Sequence, residues 1–73
     1  MSKTLLKFKE QMSKIKHEIT ANDRKEIERL YGIDKSTISL YVNNVEGANN
    51  VDTYFNILSF MKGQIEKRNS ILA

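Results

Sequence analysis

Apolar residues in this chain recur at intervals of three and four, and no proline interrupts them. Leu5, Phe8, Met12, Ile15 and Ile19 are spaced three, four, three and four apart, which is one stripe of a helix with 3.6 residues per turn. Tyr54, Leu58, Met61 and Ile65 form a second such stripe, with Ile57 beside it and Phe60 on a flank. With only three glycines and no proline to break these patterns, the expected fold is all-α with no strand. The length, 73 residues, allows one domain spanning 1–73. A domain of that size buries about 60% of the surface its unfolded chain exposes, too little to enclose a deep substrate cavity.

Several function classes drop out on composition. The chain has no cysteine and a single histidine, His17, so neither a disulfide nor a thiolate or His-only zinc site is expected. No nucleophile–base pair or glycine-rich phosphate loop is present, and the carboxylates are scattered, so no enzyme, cofactor or small-molecule ligand is expected. Apolar runs are far shorter than the ~20 residues of a membrane span, which predicts a cytoplasmic protein without a membrane partner.

The periodicity resolves into four helical segments. The first covers about Lys3 to Lys16, with lysines on most of its other face. The second covers Thr20 to Tyr31, with Thr20 as N-cap, Asp23 three residues on as a weak capping box, and Ile27, Leu30 and Tyr31 facing inward. Gly32 follows, where a left-handed residue ends a helix well. The third starts at Asp34, whose carboxylate can cap the amide of Ser36 or Thr37, and ends near Asn43-Asn44. A loop rich in Asn and Gly leads to the fourth, from about Val51 to Arg68, capped by Asn50 or Asp52, with Asn69–Ala73 fraying.

Charge is uneven along the chain. Residues 1–17 hold five lysines against Glu10, a net of +4, and residues 53–73 carry +2. Residues 18–34 set three cations against five acids, a net of −2. Two basic ends suit a nucleic-acid partner without requiring one, because solvated lysines on helix faces give the same tally.

The second and third segments carry a more specific pattern. Ile27, Tyr31, Ile33, Ile38 and Tyr41 are spaced four, two, five and three apart around Gly32. A helix-turn-helix needs this arrangement: two residues seat the first helix, one plugs the angle, and two pin the second helix with its other face free. The stretch Arg24 to Asn43, and above all YGIDKSTISLYVNN, resembles the helix-turn-helix of lambda-repressor/Cro-like transcriptional regulators of short phage or bacterial type. The following NVDTYFNILSFMKGQIEKR is similar to the helix after the recognition helix in short members, so the resemblance covers roughly residues 17–68. Glu28 departs from it, standing where the family has a small residue, often Ala, so it should snorkel outward or open the crossing angle.

The resemblance implies a lambda-repressor-like domain of four helices, or five, with its helix-turn-helix core at 20–44 and a C-terminal helix at about 51–68. It implies a sequence-specific regulator of transcription that binds double-stranded DNA with a recognition helix, 35–43, in the major groove. By position, Asp34, Lys35, Ser36, Ser39, Leu40 and Asn43 would face that groove. Lys35 would donate to guanine or phosphate, Asn43 to phosphate or adenine, and Leu40 would touch a thymine methyl unless it packs on the fourth helix. Thr20, Asn22, Arg24 and Thr37 would meet phosphates. The asparagines read equally well as turn residues. A weak homodimer is expected through Ile57 and Phe60, with Ile71 nearby. The competing expectation is a helical protein–protein interaction module, antitoxin- or adaptor-like, with no direct DNA readout; the acidic 18–34 segment favours it.

Overall fold

A computed structural model describes residues 3–72, of which 71 and 72 are described in their backbone alone. All of its regular structure is helical: α1 (Lys3–Ile15), a 3₁₀ turn (Lys16–Glu18), α2 (Ala21–Tyr31), α3 (Lys35–Val42) and α4 (Val51–Leu72). No helix among the described residues is long and apolar enough to cross a membrane. Thus the all-α class and the four segments expected from periodicity are present, and among the described residues there is no fifth α-helix. The helix ends follow from local chemistry. The Thr20 hydroxyl accepts from the Asp23 amide at 3.1 Å and the Asp23 carboxylate accepts from the Thr20 amide at 2.9 Å, a complete capping box rather than a weak one. Gly32 ends α2 in the left-handed region at φ 65° and returns its amide to the Glu28 carbonyl. Asn50, not Asp52, caps α4, its Oδ1 accepting from the amides of Asp52 and Thr53.

The core is formed by Leu5, Met12, Ile19, Ile27, Ile38, Tyr41, Val42, Ala48, Tyr54, Ile57 and Met61. The long α4 is the spine against which α1, α2 and α3 all pack. Three expectations need correction. Leu30 and Tyr31 do not face inward; they are exposed, because α2 meets the core through Asp23 and Ile27 and its last turn runs past it. In α4 the fully buried stripe is Tyr54, Ile57 and Met61, with Leu58 and Ile65 only half-buried, so the helix is rotated by part of a turn from its expected setting. Residues 69–72 do not fray but continue α4, whose last turns are tied down from the side by Gln64 and Arg68.

That tie centres on Asp23, the one buried charged residue among the described residues. Asp23 is fully buried, and the carboxylate oxygen not used in the capping box accepts from Arg68 Nη2 at 2.6 Å and from Gln64 Nε2 at 3.4 Å. Arg68 also donates to the Glu18 carbonyl, clamping the 3₁₀ turn. Burial alone would raise the Asp23 carboxyl, but the hydrogen bonds from Arg68, Thr20 and Gln64 outweigh it and hold the group below its ordinary value. A second polar lock joins α1, α3 and α4. Asn44 sits in the left-handed region at φ 52°, which asparagine tolerates better than most residues. Its amide nitrogen donates to the Lys9 carbonyl and to Ser13 Oγ, and its oxygen accepts from the Tyr54 hydroxyl at 2.8 Å. Tyr54 stands edge-on to Tyr41 at 4.7 Å, and the Tyr41 hydroxyl accepts from the Asn50 amide.

Two measurements check this account. Arg68→Ala removes the cation from a buried carboxylate, which keeps its bonds from the Thr20 amide and Gln64, and should lower Tm measurably more than a surface substitution does. The depressed Asp23 pKa contributes stability that is complete above its unfolded value near 3.8 and is lost as pH falls below it toward the lower folded value. Thermal melts of wild type should therefore steepen their decline below about pH 4. Asp23→Asn should start lower at neutral pH and lose that part of the acid dependence.

Candidate nucleic-acid interface

The turn Gly32–Asp34 sets α3 at an angle to α2, with Ile33 half-buried against the core in the corner. Asp34 caps α3 weakly, its carboxylate accepting from the Ser36 amide at 3.3 Å. Ile38, Tyr41 and Val42 fix one side of the eight-residue helix in the core. The other side is therefore presented to solvent. Ser36, Leu40 and Asn43, spaced four and three apart, lie along its crest and are exposed, as are Asp34 and Lys35. Thr37 and Ser39 are half-buried. Leu40 is 46% exposed, so of its two expected roles the packing on the fourth helix does not occur. Asn43 ends α3 through its backbone, while its neighbour Asn44 is the structural asparagine of the pair.

Thr20 and Asn22 are exposed at the start of α2. Arg24 lies one turn into α2 and is half-buried, reaching across so that its Nη1 donates to Ser39 Oγ at 3.0 Å. This contact joins two residues expected to play separate parts. Nothing in the sequence links positions fifteen apart, so the pairing becomes visible only once the turn angle is known. Glu28, the departure from the family pattern, is exposed, and α2 and α3 still pack together. Its carboxylate thus snorkels outward, as a charged side chain at a helix crossing can.

Two acids of the 18–34 segment are in ion pairs, and the pair with Arg68, a cation from outside the segment, lowers its net charge from −2 to −1. Asp23 is buried against Arg68, and Glu26 pairs with Arg29 at 2.6 Å on the surface of α2. Asp34 is engaged as a cap. On α1, Lys3, Lys7 and Lys14 are exposed, as is Lys16 in the 3₁₀ turn, whereas the Lys9 ammonium lies 5.7 Å over the Tyr54 ring.

The expected contact between copies needs correction. Ile57 is fully buried in the core and cannot meet a partner, and Phe60 is half-buried against that core. The exposed aromatic of α4 is Phe55, 6.3 Å from Phe8. The side chain of Ile71 lies outside the described residues. Phe8, Ile15, Phe55, Leu58 and Ile65 line an open groove of about 610 Å³ between α1 and α4, bordered by Lys14, Lys62 and Glu66. It arises because α4 turns Leu58 and Ile65 to the edge of the core rather than into it.

No protein-family model matches the chain, and comparisons with curated proteins and with solved structures give no match.

The division of α3 into a pinned side and a free side is testable by stability alone. Leu40→Ser should leave Tm within about 3 °C of wild type, as surface substitutions do. Ile38→Ala, removing fully buried atoms, should cost about 2–5 kcal/mol. Comparable losses for both would mean that Leu40 is packed and the helix has no free crest.

Proposed function

We propose that this chain is a double-stranded DNA-binding regulator of transcription, in which α2, the turn and α3 act as a lambda-repressor-like helix-turn-helix and α3 enters the major groove. The observation that carries the reading is the exposed crest of α3. It carries Ser36 and Asn43 on either side of Leu40, with the half-buried Ser39 on its flank, and it is held from behind by three buried residues. Short side chains let the helix backbone approach base edges, where serine and asparagine can donate and accept and an apolar group can meet a thymine methyl. Thr20 and Asn22 at the start of α2 supply polar groups beside that crest for phosphates, as helix N-termini in such interfaces do. The pairing of Asp23 with Arg68, from outside the acidic segment, offsets one unit of the negative charge that would oppose approach to DNA.

An eight-residue helix reads few base pairs, so useful specificity asks for two copies on half-sites one helical turn apart. A palindromic site would then bring together copies that associate weakly when free. A second reading, a helical protein–protein interaction module, draws on a different surface. The apolar groove between α1 and α4 favours it.

An NMR titration with a random-sequence duplex at low salt separates the two. The amides of Lys35, Ser36 and Ser39 should move most, and affinity should fall steeply with salt. Largest shifts along 54–68 would overturn the assignment of α3 to the major groove, and no shift at any residue would leave the interaction-module reading. Lys35→Ala should cost about 1–3 kcal/mol on a preferred site if it reads a guanine, and less if it meets a phosphate. Charge reversal at two of Lys3, Lys7 and Lys14 should weaken binding to every sequence alike and flatten the salt slope if α1 flanks the duplex. An unchanged slope would leave those lysines a role in solubility alone.

A further inference from the structure

The geometry points to Arg24 as a guanine-reading residue, held for that task by Ser39, rather than as a phosphate contact; this rests on the DNA-binding reading above. Three observations bear on it. First, Arg24 starts on α2 but its guanidinium ends at Ser39, in the middle of α3. Ser39 is one turn beyond Lys35 on the same flank of the helix, and Ser36, Leu40 and Asn43 form the crest beside it. Once that helix occupies the groove, a long charged side chain anchored on its flank beside the crest is within reach of base edges as well as of the groove wall.

Second, the guanidinium is held by a neutral hydroxyl. Among the described residues the ion pairs are Arg29–Glu26 and Arg68–Asp23, and Arg24 takes part in neither. Its charge is therefore not spent on a carboxylate of this chain. Third, one donor of five is used by Ser39, at 3.0 Å. The four remaining N–H groups still include a parallel pair along one edge of the fork, which matches the O6 and N7 acceptors of guanine. Ser39 accepts this bond, so its own hydroxyl proton stays free to donate to an adjacent base or to water. Anchoring one corner of a long, rotamer-rich side chain before binding also lowers the ordering cost of the contact. Arg24 is thus a specificity-determining residue and Ser39 its positioning residue.

The test is selection of binding sites from a pool of random duplexes by the intact chain, first wild type and then Arg24→Lys, which keeps the charge and loses the fork. Circular dichroism melts confirm that each variant is folded. Wild type should select a site with a required guanine, and replacing that base with 7-deazaguanine should weaken binding about 10- to 100-fold. Arg24→Lys should lose the requirement and become insensitive to 7-deazaguanine, while its affinity for random duplex and its salt slope stay near those of wild type. Ser39→Ala should weaken discrimination at the same base only, and Ser39→Thr, which restores a hydroxyl, should recover it. If Arg24→Lys selects the same site as wild type, or if Arg24→Ala lowers affinity equally on all sequences and reduces the salt slope by about 1, Arg24 is a phosphate contact and the assignment falls. If wild type binds no duplex even at low salt, the DNA-binding reading itself fails, an outcome distinct from loss of the guanine preference alone.

Discussion

The buried carboxylate of Asp23 does three jobs at once, and the arrangement of the helices depends on it. As the reciprocal half of a capping box it fixes where α2 begins. Through Arg68 and Gln64 it fixes the register of α4 against α2. Through Arg68 and the Glu18 carbonyl it fixes the 3₁₀ turn that leads in from α1. An isolated carboxylate in this position would be driven to neutralise. The bonds converging on it reverse that tendency, and the same bonds raise the basicity of Arg68, chiefly through its hydrogen bond to Asp23. A domain this small has little apolar area to spare, so one fully satisfied polar hub can define a unique packing that side-chain volume alone would leave degenerate.

The fold class was legible because its signal is redundant. Leu5, Met12, Ile19, Tyr54 and Met61 repeat at helical spacing and all are buried. Gly32 at the end of α2 and the caps at Thr20 and Asp34 gave the boundaries of α2 and α3 to within a residue. The facing of α4 was not legible. Ile57 and Leu58 are adjacent and both apolar, so two stripes fit the sequence equally well, and the structure buries Ile57, on the side of α4 that carries Tyr54 to Asn44 and Arg68 to Asp23. Leu30 and Tyr31 failed for a related reason. Periodicity shows which residues share a side of a helix, but not how far along that side a neighbour extends.

For the candidate site, the sequence placed the residues but not their relations. The exposed positions of α3 follow from its apolar residues: once Ile38, Tyr41 and Val42 are buried, Ser36, Leu40 and Asn43 face outward. What it could not show was which polar residues are already engaged. Asn43 and Asn44 are identical in type and adjacent, yet one lies on the surface while the other bonds to α1 and α4. Asp23 read as a capping residue alone, and among the described residues it is the buried charge, paired with Arg68. In each case the deciding partner is at least ten residues away in sequence, beyond the reach of any local pattern.

The way α3 is held also bears on how it can act. The helix is short, and its Ser and Thr content gives it mediocre intrinsic propensity, so on its own it would not persist in water. It is fixed at the start by Asp34, in the middle by Arg24, at the end by Asn44, and along its length by three core residues. Few of these constraints consume the crest. Asp34 works at the helix end, Asn44 points back to α1 and α4, and the core residues face the other way. Only the bond from Arg24 lies on the presented side, and it brings a charged group to that side without occupying the crest. A weak helix braced from behind offers short side chains in a fixed geometry, and a partner that met it would not have to order it first. That division, with stability in the buried half and polar groups in the exposed half, allows so small a domain to present a rigid helical surface.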